Sequence, residues 1–228
     1  MEDPLHAGSG DPGLTLIETL AWDGTTILRL DLHLQRLTRS AARLGWPCDR
    51  DATRLALRGA APADPARLRL TLDATGALRV TAAPMPPAKP RWAVTLAALR
   101  LQSGDPWLTV KSSRRTAYDT TRAALAVGTD EAIFLNERGQ VCDGTISTVF
   151  FDRGQGLRTP PLRCGLLPGV LRASLAVPEE VLLATDLPHV TLWVGNSLRG
   201  LIPADFTLVQ ISPPEAPALT APDCRAGI

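Results

Sequence analysis

The sequence predicts two mixed α/β (α+β) domains in tandem, an N-terminal one over residues 1–103 and a C-terminal one over 110–228, with a linker at 104–109. Three observations predict it. Segments of alternating polarity are interleaved with segments of helical spacing throughout. QSGDPWL (102–108) breaks both patterns at mid-chain. Finally, 228 residues at 45% hydrophobic and 21% charged suffice for two modest cores.

The elements follow in order. LTLIETLAW (14–22) alternates as a strand, and Asp23-Gly24 offers a hairpin turn into a second strand, TTILRLDL. HLQRLTRSAARLG (33–45) places apolar residues at 34, 37, 41 and 44, the spacing of a helix, which Gly45 and Pro47 end. A short helix is expected over Asp51–Arg58, then strands at 67–72 and 78–83. The proline-rich APMPPAKP (83–90) breaks the chain before a strand at 92–99. Beyond the linker, the pattern predicts a helix over 115–127, strands at 131–136 and 141–151 around the turn ERGQ, and a loop at 157–169. A helix from near Val170, a segment at 178–184, and strands at 190–196 and near 206–211 complete it; the tail after Pro213, rich in Pro and Ala, is expected to fray.

Composition excludes several functions. A formal net charge of +1 gives no electrostatic case for nucleic acid or an anionic membrane surface. No apolar run approaches the roughly 18 residues of a membrane span, and the N-terminus lacks the pattern of a signal peptide, so a cytoplasmic protein is expected. Cys48, Cys142, Cys164 and Cys224 are too scattered for a disulfide framework or a zinc site. With His6, His33 and His189 as the only histidines, a histidine network has few candidates.

One bias is informative: only Lys89 and Lys111, of 24 basic residues, are lysines. Arginine stays protonated at neutral pH, whereas a partly buried lysine can lose its proton and form an imine. Lys111, after Leu108 and Val110 and directly beyond the linker, is the better placed of the two.

Four segments in order narrow the reading. LIETLAWDG with LDLHLQRLTRSAARLG, then VKSSRRTAYDTTRAALAVGTDEAIFLNERGQVCDGTISTVFF, then TPPLRCGLLPGVLR, and NSLRG at 196–200 resemble the class IV aminotransferases across about residues 14–205. NSLRG is similar to the aminodeoxychorismate lyase branch. The resemblance implies the two-domain fold of the D-amino acid aminotransferase-like enzymes, with pyridoxal 5'-phosphate between the domains, a small amino substrate, and a homodimer with active sites near its interface.

It also implies residue roles. Lys111 matches the lysine that joins the cofactor aldehyde and shuttles protons. Arg36 matches the arginine on the cofactor phosphate, a role suited to a forked guanidinium. Val170 and Leu171, after Pro168-Gly169, match the helix start whose N–H groups face the same phosphate. Ser197 matches the hydroxyl that contacts the phosphate or the substrate carboxylate, and His33 is read as structural or capping. Asp143 stands where the family usually has Glu, paired with the pyridine nitrogen; it is about 1.5 Å shorter. Thr148 replaces a more usual Asn near the ring, and Ile17 an aromatic residue. About a dozen loop-like residues precede the first strand, fewer than in typical members, which implies a pocket more open or completed by a partner.

Three functions fit this reading: a 4-amino-4-deoxychorismate lyase that releases pyruvate and forms 4-aminobenzoate, a branched-chain or D-amino acid transaminase, and a non-catalytic member that keeps the fold. A transaminase needs a site for two acids in turn, and no arginine pair in the sequence announces one.

Overall fold

The computed structural model describes Leu5 and residues 8–208. The first half is a three-stranded antiparallel sheet, β1 (Leu16–Trp22), β2 (Ala66–Leu72) and β3 (Leu78–Pro84), in that spatial order. β2 shows why it is a strand. Ala66, Leu68, Leu70 and Leu72 are buried, while Arg67 and Arg69 point to the other face, the period-two alternation of a half-covered strand.

Asp23-Gly24 does turn the chain: Asp23 Oδ1 accepts from the amides of Thr25 and Thr26, and Gly24 has φ 99°. The second strand expected there does not form. A single bridge, Trp22 to Ile27, is all that pairs, and Arg29 at φ 56° redirects the chain into a helix. That helix, α1 (Leu30–Leu44), starts three residues earlier than its apolar spacing suggests and stops at Gly45, φ 70°. α2 (Arg50–Gly59) begins at Asp49, whose carboxylate accepts from the amides of Asp51 and Ala52 and so caps the first turn. Leu34, Leu37 and Leu44 of α1 and Leu57 of α2 pack with Leu16, Leu20, Leu68 and Leu70 in one core, which Trp107 and Val110 also enter.

The second half is a closed six-stranded barrel in the order β4 (Trp92–Leu101), β5 (Glu131–Asn136), β6 (Val141–Gly144), β7 (Thr148–Asp152), β8 (Thr191–Asn196) and β9 (Gly200–Phe206). β4, which the sequence reading groups with the first half, pairs in parallel with both β5 and β9. Between β4 and the rest of the barrel lie a 3-10 turn, Pro106–Thr109, and α3 (Thr116–Ala123). The supposed linker is therefore partly built: Asp105 caps the turn, and Trp107 and Leu108 are buried. α3 ends four residues short of expectation.

The strand expected at 141–151 is broken at 145–147. Buried Glu131 explains it. Its carboxylate accepts from the amides of Thr145 and Ile146 and from the hydroxyls of Thr145 and Ser147, drawing the chain into a turn. A charge taken out of water needs such partners. The loop at 157–169 holds a short 3-10 turn, Leu162–Cys164, and α4 (Val170–Leu175) follows. The segment at 178–184 forms isolated bridges and runs into a 3-10 turn at Ala184–His189. The last described strand is 200–206, and the strand expected near 206–211 falls in part outside the described residues; NSLRG is the hairpin turn before 200–206, closed by Asn196 Oδ1 on the amides of Leu198 and Arg199. The tail after Pro213 lies outside the described residues.

Candidate active site

A cavity of about 830 Å³ lies between the sheet and the barrel. Arg36, Lys111, Asp143, Thr148, Val170, Leu171 and Ser197 all line it, although they come from six different segments.

Lys111 is set by the first strand. The Ile17 amide donates to the Lys111 carbonyl at 2.8 Å, and the Ser113 amide to the Thr15 carbonyl at 2.8 Å, so residues 111–113 extend the sheet along the free edge of β1. Burial, with the Arg36 charge adding, holds the Lys111 ammonium down at about 8 despite the opposing pull of Glu18. A lysine so placed is a free amine for about a tenth of the time at pH 7 and about half of the time at pH 8, far more than an exposed lysine, and the free amine is the form a nucleophile or base must take.

Asp143 sits on β6. Its Oδ2 accepts from the Leu167 amide at 2.8 Å, whereas Oδ1 is buried without a hydrogen-bond partner. Burial lifts the carboxyl to about 7, against the Leu167 hydrogen bond. An orphaned buried oxygen costs roughly 1–3 kcal/mol and marks where a donor is missing.

Arg36 is engaged within the protein. Its Nε donates to Glu18 Oε1 at 2.8 Å and one terminal nitrogen to Oε2 at 2.5 Å; the other terminal nitrogen lies 3.4 Å from the Pro168 carbonyl. Burial would raise the Glu18 carboxyl, but the Arg36 charge and the hydrogen bonds from Arg36 and His33 bring it down to about 2. His33 completes this cluster, with Nδ1 2.6 Å from Glu18 Oε2 and Nε2 2.7 Å from Ser197 Oγ. It lies in the first turn of α1 without capping it: it ties the two halves together. The sequence reading passed over Glu18, whose signal was an acid among apolar strand residues. It also passed over Tyr118, a cavity-lining phenol raised by burial.

Gly169 precedes α4 with no side-chain cap on that helix's first turn. A Cβ there would stand 2.6 Å from Thr148 Oγ1. Thr148 thus packs directly on the Pro-Gly bend that delivers Val170 and Leu171 to the cavity. The mouth is basic. Arg67 and Arg69 project into it from β2 and make no ion pair among the described residues, a pair of arginines that the sequence alone did not announce.

Comparison with known proteins agrees with this geometry. The family profile described as Amino-transferase class IV matches residues 15–205. The chain belongs to the class IV aminotransferase family. These are pyridoxal-phosphate enzymes. The crystal structure of a candidate amino-acid aminotransferase from Mesorhizobium loti is 44% identical, with TM-score 0.81, over 85% of this chain and 100% of that one. The 4-amino-4-deoxychorismate lyase of Pseudomonas aeruginosa shares the fold at 24% identity and TM-score 0.75, over 87% and 86% of the two chains. The aminodeoxychorismate lyase of Bacillus subtilis is 34% identical over 94 residues, a stretch that spans 35% of this chain and 30% of that protein. The class IV fold is thus the one the sequence resemblance implied. Among the described residues, no helix is long and apolar enough to cross a membrane.

The residues present fit pyridoxal phosphate. Asp143 Oδ1 lacks the donor that a protonated ring nitrogen supplies, Lys111 is a low-pKa amine, and the cavity offers cationic and hydroxyl groups to an anion.

Proposed function

We propose that the chain is a pyridoxal-phosphate-dependent 4-amino-4-deoxychorismate lyase, forming 4-aminobenzoate and pyruvate. The observation that carries the cofactor role is the buried, unpartnered Asp143 Oδ1 in the same cavity as the amine of Lys111. Lys111 would bind the cofactor aldehyde, Asp143 would hold its ring nitrogen, and Ser197, the start of α4 and the remaining arm of Arg36 would hold its phosphate. Bound there, the cofactor supplies a sink for the electron pair left at the amine-bearing carbon.

The chain's own residues do the rest. Lys111 Nζ, as a free amine in the cavity, would take the proton from that carbon. The enolpyruvyl group departs, Lys111 returns a proton to it to give pyruvate, and the ring becomes aromatic. Arg67 and Arg69 favour a substrate with more than one carboxylate, which 4-amino-4-deoxychorismate is. Release of pyruvate from that compound, lost in Lys111→Ala, is the test; no pyruvate from wild type refutes the lyase.

A second reading is a transaminase, favoured by the Mesorhizobium relative. Arg67 and Arg69 would suit a dicarboxylate such as 2-oxoglutarate equally, so amino acids assayed with 2-oxoglutarate decide between the two. A homodimer in the cytoplasm accords with the family resemblance, and sedimentation measures the first part.

A further inference from the structure

The Glu18–His33–Ser197 chain has a hydrogen count that matters. The Glu18 carboxylate, gripped by two nitrogens of Arg36, can only accept, so His33 Nδ1 must carry the hydrogen shared with Oε2. His33 Nε2, 2.7 Å from Ser197 Oγ, then has two options. On a neutral ring Nε2 is an acceptor, and Ser197 spends its one hydrogen on it, leaving lone pairs toward the cavity. On a charged ring Nε2–H donates to Ser197, whose own hydrogen is free to turn toward a cavity ligand.

We propose that an oxyanion bound at Ser197 brings one proton with it onto His33, which reverses the direction of the serine hydroxyl. An anion facing lone pairs is repelled; the same anion facing an O–H, with an imidazolium behind it, is held by a charge-assisted bond. The other charges that face the ring agree. Burial keeps His33 below the usual histidine range, Arg36 and Lys111 push it further down, and Glu18 pulls the other way. Arg29, whose guanidinium donates to the Ser197 carbonyl at 3.2 Å, adds positive charge on the turn side. The empty site therefore holds a neutral ring, and an anion supplies what it lacks. The identity of that anion, a cofactor phosphate or a substrate carboxylate, rests on the functional reading above; the proton coupling does not.

The test uses the full chain freed of cofactor and its three histidines. Imidazole nitrogen NMR at pH 7.5, with His33 assigned through His33→Gln, is recorded without ligand, with inorganic phosphate and with acetate. The expected result is a neutral ring protonated at Nδ1 in the empty protein and an imidazolium on saturation. Binding and protonation with phosphate, acetate failing to bind, points to the phosphate end of the cofactor, and binding and protonation with both anions to a site that also takes carboxylates. In binding titrations, the wild-type affinity for the responding anion falls by up to tenfold per pH unit beyond the fall in Ser197→Ala, the limit for one linked proton. A ring already charged when empty, a ring still neutral when either anion is bound, or failure of both anions to bind overturns the proposal. Borohydride trapping of pyridoxal phosphate at Lys111 tests the cofactor reading separately.

Discussion

Asp143 makes a prediction that needs no substrate. Its carboxyl titrates at about 7 in the folded protein and near 3.9 in an unfolded chain. Between those values the folded state holds a proton that the unfolded state has released, so stability falls as pH rises and levels off above 7. From pH 5 to pH 8.5 the fall covers two of those units, at 1.36 kcal/mol each, or about 2.7 kcal/mol. Asp143→Asn keeps an oxygen for the Leu167 amide and removes the ionisation. Its nitrogen is left without an acceptor, a cost of about 1–3 kcal/mol that is the same at both pH values. Urea unfolding of cofactor-free wild type and Asp143→Asn at each pH isolates the difference. The variant should gain about 2.7 kcal/mol on wild type between pH 5 and pH 8.5, while binding pyridoxal phosphate less tightly. Parallel pH dependences for the two proteins would refute the assignment of a buried, proton-holding carboxyl.

Other outcomes follow from the same geometry. Gly169→Ala puts a methyl 2.6 Å from Thr148 Oγ1 and should cost about 1–3 kcal/mol in thermal unfolding; Thr148→Ala in the same chain should return most of it, because the contact is with that one oxygen. Acylation of the chain's two lysines, followed by peptide mass spectrometry, should give Lys111 a midpoint near pH 8, and added pyridoxal phosphate should protect Lys111 while Lys89, ion-paired to Asp130 at the surface, still reacts. Arg67→Ala and Arg69→Ala should each raise KM for the natural substrate about tenfold or more, the loss of one charge-assisted contact, with a smaller change in kcat; equal KM values would remove these residues from the substrate site.

Much of this protein is legible in its sequence, and the limits have physical causes. β2 and α1 reveal themselves because each buries one face, so Leu68 and Leu70 alternate and Leu34, Leu37, Ala41 and Leu44 recur with helical spacing. The break at 145–147 does not show in local pattern because its cause is Glu131, a strand away in the fold. The strand lost after Gly24 has a similar cause: TTILRLDL alternates well, but Leu30 instead opens a helix and packs against the core that holds Leu16 and Leu20. Asp143 and Ser197 could be picked out only by their resemblance to a family, since each alone looks like an ordinary strand or turn residue; the scarcity of lysine drew attention to Lys111, but the resemblance gave it a role. Glu18 and His33 became visible as partners only once the chain was folded, because the bond from His33 to Ser197 joins residues 164 positions apart.

The pairing of residues 111–113 with β1 has a practical consequence. A pyridoxal enzyme is coloured by its cofactor, and here the lysine that would carry the colour is aligned by a strand at the far end of the N-terminal half. Displacing that strand would shift the lysine even with the barrel intact. The visible band then becomes a natural gauge of whether the opening strand is seated.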